Sequence, residues 1–238
     1  MDRHIKKHCK LFFIIIIFLT ACKTTSVQKW VEINQKPLNE NDKSEFTIKV
    51  EKKNSPDGKV NTYRGTTTMS VSIGRIAYVL NDTEGKTEWV SRLKEENRLV
   101  GTPLSYQSIA YQHYNLSWPV SDRDYVIESQ WTVIKDSQVP TAILNIKSII
   151  RDDIPEVDGR VRGQLDRLVY KLEQLESNQT RVTVEILVNP LGLLPNFMIN
   201  MIQKDWPITT LRRLNAQAMK GNAIHEKLQN DLRKSMDQ

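Results

Sequence analysis

Cysteine and histidine are scarce in this sequence, and their scarcity excludes several kinds of site. The two cysteines are Cys9 and Cys22, so the chain beyond them supplies no disulfide, no thiol nucleophile and no thiolate ligand. His113 and His225, the histidines outside the N-terminal segment, are far apart and fit no H-x-x-H spacing. We therefore expect no metal site, and no motif indicates a cofactor.

Charge of one sign is not concentrated along the chain. The formal net charge is +6, but the first 21 residues hold four basic residues and one acidic residue, which leaves +3 for the remainder. The remaining charges of both signs are interspersed and form no basic stripe. We expect no nucleic-acid binding.

A long apolar run occurs once, from Leu11 to Leu19, directly after a basic N-terminus. It is too short to span a bilayer as a helix, which takes about 20 apolar residues. A cationic head followed by an apolar stretch and small residues is typical of a secretory signal. We therefore predict a cleaved signal over residues 1–21.

The predicted signal ends in Leu19-Thr20-Ala21-Cys22, which resembles the bacterial lipobox. The resemblance implies cleavage before Cys22, diacylation of its thiol and a third acyl chain on the new amino terminus. An ordinary signal peptide with a chance cysteine is the alternative. The residue after the cysteine is Lys23, which favours the outer membrane over the inner one by the sorting rule of enteric bacteria.

The remaining chain predicts a short tether, residues 22–29, and one α+β domain, residues 30–238. Alternating apolar residues predict strands separated by polar, Gly or Pro turns. The predicted strands are Phe46–Glu51, Lys59–Val71, Glu96–Val100, Ser105–Leu116, Asp124–Lys135, Ala142–Arg151, Val161–Glu176 and Thr180–Val188. Their length favours a long, curved antiparallel sheet.

Helical spacing occurs in three places. Residues 72–80 predict one short helix, and Thr83 is a candidate cap for a second that ends near Trp89. Pro195 can begin a third, and Pro207 is expected to kink or interrupt it. From Pro207 to Leu232 the spacing predicts one long amphipathic helix, interrupted by Gly221.

Three stretches in this order resemble the START domain, the lipid-transfer family with a helix-grip fold. They are Tyr63-Arg64-Gly65 with the segments ending at Asp82 and Val90, then Trp118 to Val126 (WPVSDRDYV), and Gly192-Leu193-Leu194-Pro195 followed by Asn200. The resemblance covers about residues 30–220. It implies a long C-terminal helix that lies across the sheet and covers an apolar cavity.

Structural roles can be assigned to the motif residues, which are Trp118, Pro119, Asp122, Arg123, Asp124, Gly192 and Pro195. A bidentate Arg–carboxylate pair could fix the corner at Asp122-Arg123-Asp124, and direct contact with a ligand is the alternative. Gly192 would permit close packing where sheet meets helix.

The candidate ligand-binding residues are Tyr125, Ile127 and Trp131 on the sheet, and Phe197, Met201 and Leu214 on the helix. Each could instead belong to an ordinary core. Sterol-binding members of the family carry an arginine shortly after the Arg-Asp pair, and residues 125–131 contain none. Sterol specificity is therefore not implied.

The leading hypothesis is a non-catalytic envelope lipoprotein, anchored to the bacterial membrane, that binds or transfers a lipid or other hydrophobic small molecule. One alternative is a structural or assembly protein that presents its surface to an unidentified partner. Another is an enzyme that uses His113, Asp122 or Asp124.

Overall fold

The computed structural model of the chain describes residues 29–39, 45–55, 59–116, 118, 120–134 and 138–235. The predicted signal, Cys22, Lys23 and most of the tether lie outside these residues, and so does Pro119. The described residues contain no helix that is both long and apolar enough to cross a membrane.

Ten strands of the described chain form one sheet. They are β1 (Val31–Pro37), β2 (Thr47–Lys53), β3 (Thr62–Met69), β4 (Leu93–Val100), β5 (Gln107–Tyr114), β6 (Asp122–Ile134), β7 (Thr141–Ser148), β8 (Arg160–Arg162), β9 (Gln164–Glu176) and β10 (Gln179–Asn189). The order across the sheet is β1-β2-β3-β10-β9-β7-β6-β5-β4, with antiparallel neighbours throughout. The short β8 pairs in parallel with the beginning of β6.

Four helices accompany the sheet: α1 (Ile73–Asn81), α2 (Lys86–Trp89), α3 (Asn196–Met219) and α4 (Glu226–Lys234). Ser72 caps α1, because its hydroxyl accepts a hydrogen bond from the backbone N–H of Arg75 at 3.4 Å. The helix α3 packs across β2, β3 and β10, and α1 packs against α3. This is the α+β arrangement that the resemblance implied.

The crossing of α3 over the sheet depends on Gly65 in β3. A Cβ atom at this position would lie 2.7 Å from Cβ of Pro207 and 2.9 Å from Cδ1 of Leu211. Only a residue without a side chain therefore lets α3 approach the strand this closely. This contact gives a physical reason for the glycine of the first motif.

The core lies between the sheet and the helices. Its fully buried members include Ile48, Val50, Met69, Ile76, Leu144, Leu172, Val182, Val184, Leu211, Leu214, Leu228 and Leu232. On β10 the buried residues alternate with more exposed ones, as the period of a half-buried strand requires.

The C-terminal helix differs from its prediction in two ways. Pro207 lies inside α3 without ending it. The chain leaves the helix after Met219, so the break contains Gly221, where the prediction placed an interruption, but the part after it is a separate helix, α4, which begins at Glu226. The guanidinium of Arg75 donates to the carbonyls of Ala218 and Ala223, and these bonds satisfy backbone groups at the break.

Three smaller differences concern element boundaries. The edge strand β1 was not predicted. The N-cap position of α2 is occupied by Gly85 rather than by the predicted Thr83, whose hydroxyl instead accepts a hydrogen bond from Arg98. The predicted strand Val161–Glu176 divides into β8 and β9 at Gly163. A Cβ at Gly163 would lie 2.4 Å from the Tyr125 ring, so this glycine makes room for that side chain.

Candidate functional site

A cavity of about 190 Å³ lies between the inner face of the sheet and the helices α2 and α3. Most of its lining is aliphatic or aromatic. The apolar lining residues are Leu80, Trp89, Val90, Leu116, Ile127, Ile146, Leu165, Leu168, Ile186, Val188, Pro190, Leu194, Ile199, Ile202 and Trp206, together with the rings of Tyr114, Tyr125 and Tyr170. Its volume is below the 300–1,000 Å³ that is usual for ligand pockets, so a large ligand must widen it.

Strand alternation decides which residues reach the cavity. On β5, Gln112 and Tyr114 line it, and on β6, Arg123, Tyr125 and Ile127 do. The side chains between these positions point to the other face of the sheet, because successive residues of a strand alternate.

The three proposed catalytic candidates lie on that other face. His113 Nε2 is 2.7 Å from a carboxylate oxygen of Asp122, and this hydrogen bond lowers the pKa of Asp122. Asp124 is fully buried and is paired with Arg162. None of the three lines the cavity. In the described part of the chain, no three His, Cys, Asp or Glu side chains are grouped so as to hold a metal ion.

Three tyrosines supply hydroxyl groups in the cavity. The rings of Tyr114 and Tyr125 meet edge to face, with centroids 5.7 Å apart. Burial raises the pKa of Tyr125 to about 12 and also raises the pKa of Tyr114 and of Tyr170. All three therefore remain protonated near neutral pH and can donate hydrogen bonds.

A charged pair adjoins the cavity at α2 and β4. Lys86 Nζ, which lines the cavity, lies 2.9 Å from a carboxylate oxygen of Glu96, whose side chain is only 2% exposed. The amide of Gln112 donates to the other oxygen of Glu96, and the Tyr114 hydroxyl donates to Gln112 at 3.0 Å. These bonds form one connected polar network beside an apolar space.

Arg123 does not form the predicted pair with a carboxylate. It is 3% exposed, lines the cavity and donates to the backbone carbonyls of Ser121, Pro190 and Leu191. Burial lowers the pKa of this guanidinium. Arg123 therefore connects the start of β6 to the loop between β10 and α3.

The bidentate pair at this corner is instead Arg162 with Asp124. Arg162 Nε and Nη2 lie 2.9 Å and 3.2 Å from the two carboxylate oxygens. Tyr111 donates to the same carboxylate at 2.9 Å and accepts from Arg160. The sequence did not indicate Arg162, because it lies on β8, far along the chain from the motif.

The remaining motif residues lie around the same loop. Gly192 has a left-handed φ of 71°, and a Cβ there would lie 3.1 Å from Arg123 Nη2. Pro195 occupies the N-cap position of α3. Trp118 is 93% exposed and does not line this cavity, and Pro119 lies outside the described residues.

The six predicted ligand-binding residues are divided between the cavity and other places. Tyr125 and Ile127 line it, and their contact with a ligand stays a prediction. Trp131 lies farther along β6, where its indole N–H donates to Asn81 at 2.9 Å. Leu214 is completely buried in the core and does not reach the cavity lining.

Phe197 and Met201 lie on the outer side of α3, at 70% and 60% exposure, rather than in the lining. The α3 residues in the lining are Ile199, Ile202, Gln203, Trp206 and Thr210, which follow helical spacing. The first turns of α3 carry apolar residues on both sides, so periodicity could not distinguish the inner side from the outer one.

Two side-chain amides, which sequence reasoning did not assign, hold the first half of α3 to the sheet. Asn200 accepts from the N–H of Asn61 and donates to the carbonyl of Lys59, both at 2.9 Å. Gln203 bonds both backbone groups of Val188 at 3.3 Å. Asn200 was part of the third motif, so its spacing was the one signal for this role.

An exposed apolar group, which we call the rim patch, lies where β10 leads into α3 and beside the cavity lining. Its members are Leu191, Leu193, Phe197, Met201 and Ile202. Ile202 and the neighbouring Leu194 also line the cavity. Contiguous exposed apolar residues of this kind are typical of an interaction surface.

Comparison with known proteins finds relatives in a bacterium and in a mammal. No protein-family model matches the sequence. An uncharacterised protein of Pseudomonas aeruginosa is 28% identical over 182 residues, which is 75% of this chain and 85% of that protein. Mouse phosphatidylcholine transfer protein is 25% identical over 127 residues, 53% of this chain and 58% of its own length.

Solved structures show the same fold. Human STARD10 superposes with a TM-score of 0.69 at 16% identity, over 86% of this chain and 78% of its own. A STAR-related lipid transfer protein fragment from Xanthomonas axonopodis superposes with a TM-score of 0.65 at 20% identity, over 80% of this chain and 99% of its own. The sheet and α3 therefore form the START helix-grip fold.

Proposed function

We propose that this START-fold protein is a membrane-anchored envelope lipoprotein that binds or transfers a lipid in its internal cavity. The observation that carries the proposal is the cavity itself, which has an apolar lining with a few hydroxyl, amide and charged groups. Such a lining solvates an apolar chain while a small number of polar groups orient the rest of the ligand. The names of the mouse phosphatidylcholine transfer protein and of the Xanthomonas axonopodis STAR-related lipid transfer protein refer to lipid transfer, which supports the same class of ligand.

The rim patch supports access from a bilayer. Leu193, Phe197 and Met201 expose apolar surface next to lining residues of α3. Burial of this surface in a membrane would be favourable by about 25 cal/mol per Å². A lipid could then move between bilayer and cavity without crossing a wide layer of water.

The anchor on Cys22 is the second part of the proposal. A single acyl chain binds a bilayer only marginally, whereas two or three chains hold a protein there. The interval between Cys22 and β1 is short, which keeps the domain near the bilayer and raises the effective concentration of membrane lipid. Lys23 makes the outer membrane, facing the periplasm, the preferred location.

The cavity is tested by native mass spectrometry of the purified full chain after incubation with mixed phospholipid vesicles. The wild type should carry a lipid. Ile127→Trp, which places an indole in the lining, should reduce the bound fraction, whereas Val100→Trp, at an exposed end of β4, should not. A folded wild type that carries no lipid from any of these vesicles would eliminate the proposal and favour the structural or assembly role.

The anchor is tested by Cys22→Ser in cells, with Cys9→Ser as its control. We expect the Cys22→Ser protein to leave the membrane fraction, to bind lipid when purified and to fail to complement a deletion. Full complementation by the released protein would mean that function does not require attachment to the membrane. No observation favours an enzyme, since His113, Asp122 and Asp124 lie outside the cavity lining.

A further inference from the structure

The cavity lining has an unbalanced charge. Among the described residues, it contains three cations, Lys86, Arg92 and Arg123, and no acidic residue. Charges in a cavity with low-dielectric walls act on a ligand more strongly than charges in open water. The balance of these three groups therefore bears on which ligands the cavity accepts.

Lys86 is neutralised within the protein. Its ammonium lies 2.9 Å from the buried carboxylate of Glu96, which stands directly behind the lining. A ligand that reaches Lys86 meets a neutral ion pair rather than a free cation. The net charge of the cavity is thus contributed by the two arginines.

Arg123 is a buried cation without an ion-pair partner among the described carboxylates. Its three hydrogen bonds within the described chain all go to backbone carbonyls, and they use three of the five N–H groups of the guanidinium. The adjacent Asp122 bonds His113 on the other face of the sheet, and Asp124 bonds Arg162. A buried charge is normally paired, so an anion that a ligand brings to Arg123 would interact favourably with it.

Arg92 approaches the same end of the cavity. Leu93, the next residue, pairs with Tyr114 on β5, and Tyr114 pairs with Arg123 on β6. Arg92 has a left-handed φ of 65°, which is uncommon for a residue with a side chain. Its guanidinium makes one long hydrogen bond, 3.4 Å to the carbonyl of Leu116, and forms no ion pair with a described residue. It can therefore reorient toward a ligand.

We propose that Arg92 and Arg123 form a subsite for the anionic head of an amphiphile whose apolar part occupies the cavity. This inference rests on the proposed lipid-binding function and adds the class of ligand. A phosphate or a carboxylate presents two oxygens that a guanidinium can bind in a bidentate manner. Near the loop between β10 and α3, such a head lies beside the rim patch, through which a lipid would enter.

The test is competition between lipids that share their acyl chains. The purified full chain is incubated with vesicles containing equal amounts of phosphatidylglycerol, phosphatidylcholine and diacylglycerol, and bound lipids are quantified by native mass spectrometry. We expect about tenfold enrichment of phosphatidylglycerol over diacylglycerol, as for charge-assisted hydrogen bonds. A second series with oleate in place of phosphatidylglycerol tests a carboxylate head.

The variant Arg92→Gln should lower this ratio severalfold, because it removes one of the two guanidinium groups of the subsite. The Arg92 side chain is exposed, so the fold should be kept. Arg213→Gln, an exposed arginine of α3 outside the lining, should leave the ratio at the wild-type value. Arg123→Lys keeps the charge but loses the fork, so its ratio should lie between those of the wild type and Arg92→Gln. Thermal melting verifies that each variant is folded.

Three results would overturn the subsite. One is equal uptake of the anionic and neutral lipids by the wild type, which would leave the lipid-binding function intact. Another is an unchanged ratio in Arg92→Gln. The third is a rise in melting temperature with inorganic phosphate alone that equals the rise with lipid, which would assign the site to a free oxyanion. Binding of no lipid at all would instead contradict the proposed function itself.

Discussion

The two faces of strands β5 and β6 carry side chains of different chemistry. The inner face presents five side chains to a cavity, the polar Gln112, Tyr114, Arg123 and Tyr125 and the apolar Ile127. On the outer face, the polar side chains form hydrogen bonds and ion pairs with one another.

The outer pairs are Asp122 with His113, and Asp124 with Arg162 and Tyr111. The Asp-Arg-Asp motif therefore contributes to both faces, since its aspartates stabilise the corner and its arginine turns inward. Residues that hold the fold and residues that could meet a ligand are neighbours in sequence and are separated by the alternation of the strand. Changes to the two faces should accordingly affect different measurements.

The largest expected effect is on the outer face, from Asp124→Ala. This change leaves the Arg162 guanidinium without its carboxylate and removes the acceptor of Tyr111. Breaking a buried pair by removing one partner costs about 3–5 kcal/mol. Urea denaturation should show this loss, while Asp158→Ala, at an exposed turn, should change the free energy of unfolding by less than about 0.5 kcal/mol. A similarly small loss of unfolding free energy in both variants would mean that this corner does not depend on the Asp124–Arg162 pair.

The next effect is on the inner face, from Gly163→Ala. The new Cβ would lie 2.4–2.7 Å from ring and hydroxyl atoms of Tyr125, so that side chain must move. Overpacking of this kind costs about 1–3 kcal/mol. The double variant Gly163→Ala/Tyr125→Ala removes the clash, and its free energy of unfolding should be higher than the sum of the single effects predicts. Simple additivity would show that the two residues do not interact.

These contacts also explain what the sequence could and could not predict. The alternation of Tyr125, Ile127 and Trp131 correctly placed them on one face of β6, but not the point where the cavity ends and the core begins. Beyond the cavity, the Trp131 indole donates a hydrogen bond to Asn81 of α1, a contact between elements that alternation does not indicate. A periodic pattern specifies a face, whereas the extent of a cavity depends on distant packing.

The polar corner shows the same distinction. The motif Asp122-Arg123-Asp124 indicated an Arg–carboxylate pair, and such a pair exists, but its arginine is Arg162. Only the parallel pairing of β8 with β6 brings Arg162 to Asp124. The edge strand β1 was not predicted, because its register shift between Glu32 and Asn34 disrupts the alternation of apolar and polar residues.

A smaller effect is expected from Tyr170→Phe on the inner face. The Tyr170 hydroxyl has no hydrogen-bond partner in the described part of the chain, so its removal should change the free energy of unfolding by less than about 0.5 kcal/mol. If this hydroxyl bonds the ligand, lipid affinity should fall about fivefold, for a neutral hydrogen bond of about 1 kcal/mol. Vesicle binding and urea denaturation of the same preparation separate the two effects. A loss of stability without a change in affinity would assign Tyr170 to the core.

The smallest effect concerns pH and the outer face. The hydrogen bond with His113 lowers the pKa of Asp122 in the folded protein below its unfolded value of about 3.9. A carboxyl with a lowered folded pKa stabilises the protein above the unfolded pKa, and this contribution disappears as the pH falls through the folded pKa. The stability advantage of the wild type over Asp122→Asn should therefore be larger near pH 6 than near pH 3. Asp158→Asn provides the matched comparison at an exposed turn. An advantage that is the same at both pH values would mean that the ionised form of Asp122 contributes nothing to the outer face, whose stability would then depend on Asp124 alone.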